Sequence, residues 1–232
     1  MFENQFLKKH HEFIFATDEV GRGPLAGPVV ACAVEAKNNQ FLQTFLLELQ
    51  EFGVTDSKKL SAKKRKDIIK KYFGEIKDLA FDQKITLVKN EVSLVLSKMS
   101  AEEIDEVNIL QASLLSMRKA LLQLNSDSNS LVLVDGNKTI KNLASTLDIF
   151  PIVKGDSKSV LIALASIFAK EYRDYLMGEY AEKYPGYGLE SHAGYPTKAH
   201  LDAIKKLGIT DIHRKTFKGV KEHVISPSNQ RQ

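Results

Sequence analysis

The 232-residue chain is poor in cysteine, with Cys32 alone, and has no apolar run near the roughly 18 residues of a membrane span. A single cysteine excludes an internal disulfide and a thiolate zinc site, and it fits a reducing cytoplasm. Cys32 falls in an expected strand and reads as a buried core thiol rather than a nucleophile. The opening segment, MFENQFLKKHHEF, has no apolar signal core, so secretion is not expected. The six histidines form no HExxH-like pair; His10 and His11 read as part of a ragged N-terminus. Ser57 and Ser157 lack a nucleophile-elbow context. The segment GRGPLAGP lacks the Lys-Ser/Thr ending of a phosphate-binding P-loop. Repeats and low-complexity segments are also missing.

What remains is enough for a globular enzyme. The hydrophobic fraction of 43% can fill a core. Net charge is only +4, but it is unevenly spread. Residues 58–71 hold Lys58, Lys59, Lys63, Lys64, Arg65, Lys66, Lys70 and Lys71 against Asp67 alone. From Ser191 onward, Lys198, Lys205, Lys206, Arg214, Lys215, Lys218, Lys221 and Arg231 face Asp202, Asp211 and Glu222. Two basic patches point to a polyanionic partner.

Apolar runs alternate with amphipathic segments. Phe13–Thr17 and Pro28–Glu35 read as a strand pair around a glycine-rich loop. Asn39–Phe52 has helical spacing, and Ser61 can cap a basic helix to about Phe73. Leu79–Val88 reads as a strand. The capping box Ser100-Ala101-Glu102-Glu103 should start one long helix to about Leu124. After a polar loop over Asn125–Ser130 come a fully apolar strand, Leu131–Val134, and another, Ile149–Val153. A long helix is expected from Ser157 to about Tyr184. Thr197 should cap a short helix stopping at Gly208, and the last dozen residues read as frayed. The order implies an α/β mixed sheet flanked by helices, with residues 1–184 as the main domain and 185–232 as a helical extension.

The chemistry lies in the carboxylates. Asp18 and Glu19 close the first apolar run and are followed at once by Gly21-Arg22-Gly23. The glycines let a large ligand approach the backbone, and the arginine suits phosphate. Asp135 closes the buried strand, and Asp156 follows Ile152-Val153-Lys154-Gly155. Two divalent ions about 3.5–4 Å apart can activate water and hold the leaving oxygen of a phosphodiester. Mg²⁺ and Mn²⁺ prefer oxygen ligands converging from different strands. Adjacent strand residues face opposite ways, so Asp18 and Glu19 share a site only if the strand ends or bulges there. Lys58 and Lys59, in Asp56-Ser57-Lys58-Lys59, suit phosphate contacts.

Six ordered blocks resemble the ribonuclease HII family: TDEVGRGPLAGPVVACAV, TDSKKLS (55–61), NILQASLLSMRKAL (108–121), LVLVDGN (131–137), VKGDSKSVLIALASIFAKEYRD (153–174) and YPGYGLESHAGYPTKAHLDAIKKLGITDIHRKTF (184–217). The resemblance spans about residues 13–220. It implies an RNase H-like fold with a C-terminal helical extension, and endonucleolytic cleavage of RNA in RNA–DNA hybrids to 5′-phosphate and 3′-hydroxyl ends. It also implies cutting on the 5′ side of single ribonucleotides in duplex DNA. The family carboxylates fall on Asp18, Glu19, Asp135 and Asp156, expected to be catalytic and to hold Mn²⁺ or Mg²⁺. Asp18 and Asp135 would bridge the ions, and Glu19 and Asp156 would complete their shells. Gly21, Arg22 and Gly23 fall on the element whose backbone reads the ribose 2′-hydroxyl, and Tyr195 on the ring that packs on the junction sugar. Leu164 and Lys215-Thr216 depart from the family's usual small residue and arginine-serine. The competing readings are another RNase H-like DNA nuclease, a non-catalytic nucleic-acid-binding module and a small-molecule phosphohydrolase. No obligate protein partner is evident, and a monomer is expected.

Overall fold

In the computed structural model, residues 2–88, 91–124 and 129–224 are described. Most of the expected Asn125–Ser130 loop and of the frayed C-terminus, with Arg231, lies outside them. Six strands form one sheet in the order β3-β4-β2-β1-β5-β6. They are β1 (Phe13–Val20), β2 (Val29–Lys37), β3 (Ile85–Val88), β4 (Val92–Met99), β5 (Ser130–Asp135) and β6 (Leu147–Ile152). The β1–β2, β2–β4 and β3–β4 pairs are antiparallel, and β1–β5 and β5–β6 are parallel. The sheet is therefore mixed, as expected.

The helices are α1 (Gln40–Glu51), α2 (Ala62–Tyr72), α3 (Ala101–Val107), α4 (Ile109–Leu122), α5 (Val160–Lys183), α6 (Leu189–His192) and α7 (Lys198–Leu207). Strand residues alternate between two cores. Ile14, Ala16, Leu131 and Leu133 face α1, α2 and α5, while Phe15, Val132 and Val134 face Met117, Ala120 and Leu121 of α4. Helix α1 shows the apolar stripe Leu42, Phe45, Leu46, Leu49 and is capped by Asn39. The first ten residues of α5, Val160–Ala169, are all buried, so this stretch passes through the core rather than over it. Leu164 is fully buried there. A smaller core joins Leu25 and Ala26 to Met177, Tyr187, Leu189, Ile204, Ile212 and Val220. It seats residues 187–220 against the glycine-rich loop.

Several boundaries differ from expectation. The expected strand Leu79–Val88 is a strand only at Ile85–Val88, after a turn at Asp82 with φ 58°. Strand β4, Val92–Met99, was not expected; its signal is the short β-branched and apolar run Val92-Ser93-Leu94-Val95-Leu96, buried on both faces. The long helix after Ser100 is two helices. Asn108, at φ 68° and ψ 161°, ends α3, and its side chain accepts from the amides of Leu110 and Gln111 to cap α4. The capping box of Ser100 and Glu103 is present. Helix α5 starts at Val160 under Ser159, because Gly155–Ser157 forms a 3₁₀ turn after Lys154, which is left-handed at φ 56°. Thr197 caps α7, which stops at Gly208 as expected. Nor is the N-terminal segment ragged at His11, which is buried. Its Nδ1 accepts from the Lys8 amide and its Nε2 reaches Asp148 at 3.1 Å.

Candidate active site

The parallel strands β1, β5 and β6 point their carboxyl ends the same way, the end at which α/β sheets place ligands. Strand β1 neither ends nor bulges at Asp18, contrary to the condition set from its sequence. Asp18 pairs with Cys32 and Glu19 with Ala31, and the ladder runs on to Val20. What stops is the other partner, since β5 leaves β1 after Thr17↔Val134. The strands diverge there. Asp18 lies on the α5 face and Glu19 on the opposite face of the opening.

Asp18 is only 6% exposed. Its carboxylate accepts from the Glu19 amide at 2.7 Å. The Ser166 hydroxyl of α5, which favours the charged form of Asp18, lies 2.9 Å from the hydroxyl of Ser57. Burial first, then the charges of Glu19 and Asp135, push the Asp18 carboxyl well above its usual range. Glu19 is raised to about 7, chiefly by burial and further by Asp135, against the lowering pull of Arg22, 3.3 Å away. Asp135 ends β5 and accepts from the Gly155 amide at 2.6 Å, which ties β5 to the turn carrying Asp156. Asp156 is raised by burial, then by Asp135 and Asp56, and lowered by Lys58. All four predicted carboxylates thus belong to one electrostatic cluster, with Asp135 at its centre.

Among the described residues, no three of these carboxylates bring their oxygens within 4.8 Å of one another; only His10, His11 and Asp148 do so. That second group has no free lone pair at His11. Its Nδ1 accepts from Lys8, so Nε2 bears the hydrogen and donates to Asp148, which Lys8 Nζ also holds at 2.7 Å. It is a clasp between the N-terminal segment and β6. The carboxylate set fits a divalent ion better: its donors are all oxygen, and Asp18 is buried against like charge with no cationic side chain bonded to it. A bound cation would supply the missing attraction.

That imbalance has a measurable sign. Glu19 takes up a proton more readily folded than unfolded, so its contribution is present below pH 4.5 and is lost as pH rises through about 7. The rise in melting temperature on adding Mg²⁺ should therefore be larger at pH 8 than at pH 5.5, where protons compete for the same oxygens. Thermal melts at both pH values check this; an equal or larger rise at pH 5.5 would refute it.

Around the cluster, Arg22 extends to solvent with its side chain 52% exposed, and Lys59 lies 3.9 Å from Asp56. The Lys58 amide donates to Asp56. The loop that carries them is held by buried Arg65, which pairs with Glu171 at 2.5 Å and donates to the carbonyls of Ser57 and Leu60. Arg65 therefore leaves the solvent-facing basic patch, and so does Arg214, which is fully buried. Tyr195 is 42% exposed, with its ring against Gly23. Its carbonyl accepts from His200 at the end of a directed chain. The Thr210 amide donates to His213 Nδ1, leaving the His213 hydrogen on Nε2 to reach His200 Nε2 at 3.3 Å. His200 then carries its own hydrogen on Nδ1. Burial lowers His200 and drives His213 down to about 4, keeping both neutral.

The family model described as Ribonuclease HII matches residues 15–220. The chain belongs to the ribonuclease HII family. Ribonuclease HII of Chlorobium chlorochromatii is 47% identical over 212 residues, covering 91% of this chain and 92% of that protein. Ribonuclease HII of Clostridioides difficile is 46% identical over 217 residues, 94% of this chain and 74% of that protein. The crystal structure of ribonuclease H2 from Pyrococcus horikoshii OT3 superposes with a TM-score of 0.63 at 24% identity, over 90% of this chain and 96% of that one. Membership makes this chain a hydrolase, an endoribonuclease directed at the RNA of RNA–DNA hybrids, and it carries the use of a divalent metal ion. Among the described residues no helix is long and apolar enough to cross a membrane.

Sequence reasoning passed over Ser57, Ser166, Arg173, Arg214, His200 and His213. The serines had a local signal in their blocks, TDSKKLS and ALASIFAK. Arg214 was counted in a basic patch, and the histidines were set aside only as metal ligands.

Proposed function

We propose that Asp18, Glu19, Asp135 and Asp156 are the catalytic, metal-holding set and that this ribonuclease HII cuts on the 5′ side of single ribonucleotides in duplex DNA as well as within RNA–DNA hybrids. The electrostatic cluster at the β1–β5 divergence carries the reading. Mn²⁺ or Mg²⁺, two ions with substrate bound, would supply water activation and relief of phosphate charge, leaving 5′-phosphate and 3′-hydroxyl ends. Asp18 and Asp135, with Glu19 and Asp156, would hold the ions. Gly21, Arg22 and Gly23 offer backbone to the ribose, whose 2′-hydroxyl separates RNA from DNA. Lys58 and Lys59 meet phosphates beside Asp156, and Tyr195 packs on the sugar at the RNA–DNA junction. Residues 185–232 act as the substrate-binding extension of a 1–184 catalytic domain, in a cytoplasmic monomer.

The test is a duplex with one ribonucleotide, incubated with and without Mg²⁺ or Mn²⁺, with product ends mapped. Metal-dependent cutting 5′ of the ribonucleotide and an intact all-DNA duplex are expected. Cutting of the all-DNA duplex would favour a DNA nuclease instead. Tyr195→Ala should lower junction cleavage about tenfold, within the ~1–3 kcal/mol of an aromatic stacking contact. It should act less on a long hybrid, and equal losses on both would remove the junction-reading role.

A further inference from the structure

Two arginines behind the glycine loop have no exposure at all, Arg173 of α5 and Arg214 after α7. Burying an ion outside a pair costs several kcal/mol, yet the arginine ion pairs among the described residues belong only to Arg22 and Arg65. Arg173 and Arg214 donate instead to backbone carbonyls, nearly all of them in residues 21–28. Arg173 donates from Nε to Pro28, from Nη2 to Ala26 and from Nη1 to Ala193, each at 3.1 Å. Arg214 donates from Nη2 to Gly21 at 2.5 Å and to Gly27 at 2.9 Å, from Nη1 to Arg22 at 2.9 Å, and from Nε to Gly27 at 3.1 Å.

These bonds dictate where the loop's amides point. In a trans peptide the N–H of one residue lies opposite the C=O of the residue before it, and no cis bond occurs among the described residues. With the Gly21 and Arg22 carbonyls held inward, the amides of Arg22 and Gly23 turn outward. Among the described residues neither amide has an acceptor. The same frame seats Tyr195: Arg173 holds the Ala193 carbonyl, and the Leu25 amide donates to Gly194 at 2.7 Å. We propose that Arg214, braced by Arg173, is the positioning residue that makes this loop a sugar reader. It aims two amides at the substrate and leaves positive charge behind them for the adjoining phosphodiester. Burial lowers Arg173 to about 10 and Arg214 to about 9, so both stay charged at neutral pH. Asp105, the acid acting on Arg214, is already bonded to the amides of Lys215 and Thr216.

The proposal rests on the reading that residues 21–23 contact the ribose. Its test is affinity, measured in EDTA on the full chain, for a duplex with one ribonucleotide against an all-DNA duplex of the same sequence. Wild type should prefer the first. Arg214→Lys keeps the charge but loses the fork, and should reduce that preference at least fivefold with all-DNA affinity within twofold. An unchanged preference, or a parallel loss on both duplexes, overturns the proposal. Amide exchange in the wild type gives a second measure that needs no variant. The Arg22 and Gly23 amides should exchange fast in the free protein and slow only with the ribonucleotide duplex. Protection in the free protein overturns the inward-carbonyl geometry. No preference in the wild type itself overturns the sugar-reading role of the loop, and this proposal with it.

Discussion

Asp18→Asn and Asp135→Asn, made singly, each lower cleavage of an RNA–DNA hybrid by on the order of 10³-fold, about 4 kcal/mol of barrier, while hybrid affinity stays within about threefold. The substitutions are isosteric. An asparagine at 135 can still accept from the Gly155 amide, and one at 18 can still accept from the Glu19 amide. What is lost is charge at the point where two strands part. A neutral amide is a poor ligand for a hard divalent ion, whereas the phosphate and sugar contacts proposed for the glycine loop, Lys58 and Tyr195 would be untouched. A second result should accompany the first. The Asp18 carboxylate is buried beside Glu19 and Asp135 and its proton affinity is raised, so removing its charge relieves the folded state. Metal-free Asp18→Asn should melt higher than wild type at pH 8. An inactive and more stable variant marks a carboxylate kept for chemistry at a cost in stability. An inactive and less stable one would make Asp18 a structural group, and full activity in both variants would remove the metal-site assignment.

The residues of this site were legible because the chain announces strand ends. Apolar runs stopping at carboxylates placed Asp18, Glu19 and Asp135, and the apolar run before Lys154-Gly155 placed Asp156. How Asp18 and Glu19 share a site was not legible, since the opening comes from β5 leaving β1 after Thr17 rather than from β1 ending. A register between strands more than a hundred residues apart has no local sign. Strand β4 had a signal, Val92-Ser93-Leu94-Val95-Leu96-Ser97, and was passed over for the stretch before it. Asn108 shows the opposite case. Helix propensity runs on through it, and only its own side chain, free to cap α4, makes the break favourable. Charge was the least legible property. Arg65 and Arg214 sit in basic runs and looked like phosphate-facing cations. The carboxylate of Glu171 and the carbonyls of residues 21–27 draw them into the interior. Composition counts charges but does not say which of them the fold consumes.

Gly21→Ala should lower stability by about 3 kcal/mol. Two physical costs add there. Gly21 has φ 93°, where a Cβ costs roughly 1–2 kcal/mol. That Cβ would also meet the Arg173 side chain and, at 2.9 Å, the carbonyl oxygen of Pro28. Neither can give way easily, because the two are hydrogen-bonded to each other, and overpacking of this kind costs about 1–3 kcal/mol. For a chain of this size, 3 kcal/mol lowers the melting temperature by about 6–12 °C. Gly74→Ala separates the two costs. Gly74 has φ 133° but nothing within 4 Å of an added Cβ, so it should show the backbone cost alone, about 1–2 kcal/mol. At temperatures where Gly21→Ala remains folded, its cleavage of the single-ribonucleotide duplex should still fall at least about tenfold, because a displaced Arg173 no longer braces the carbonyls that aim the loop. Gly74→Ala should cleave at the wild-type rate. Equal losses of stability in the two variants would show that backbone strain alone matters at Gly21, and undiminished cleavage by folded Gly21→Ala would show that the loop's geometry is not what the chemistry needs.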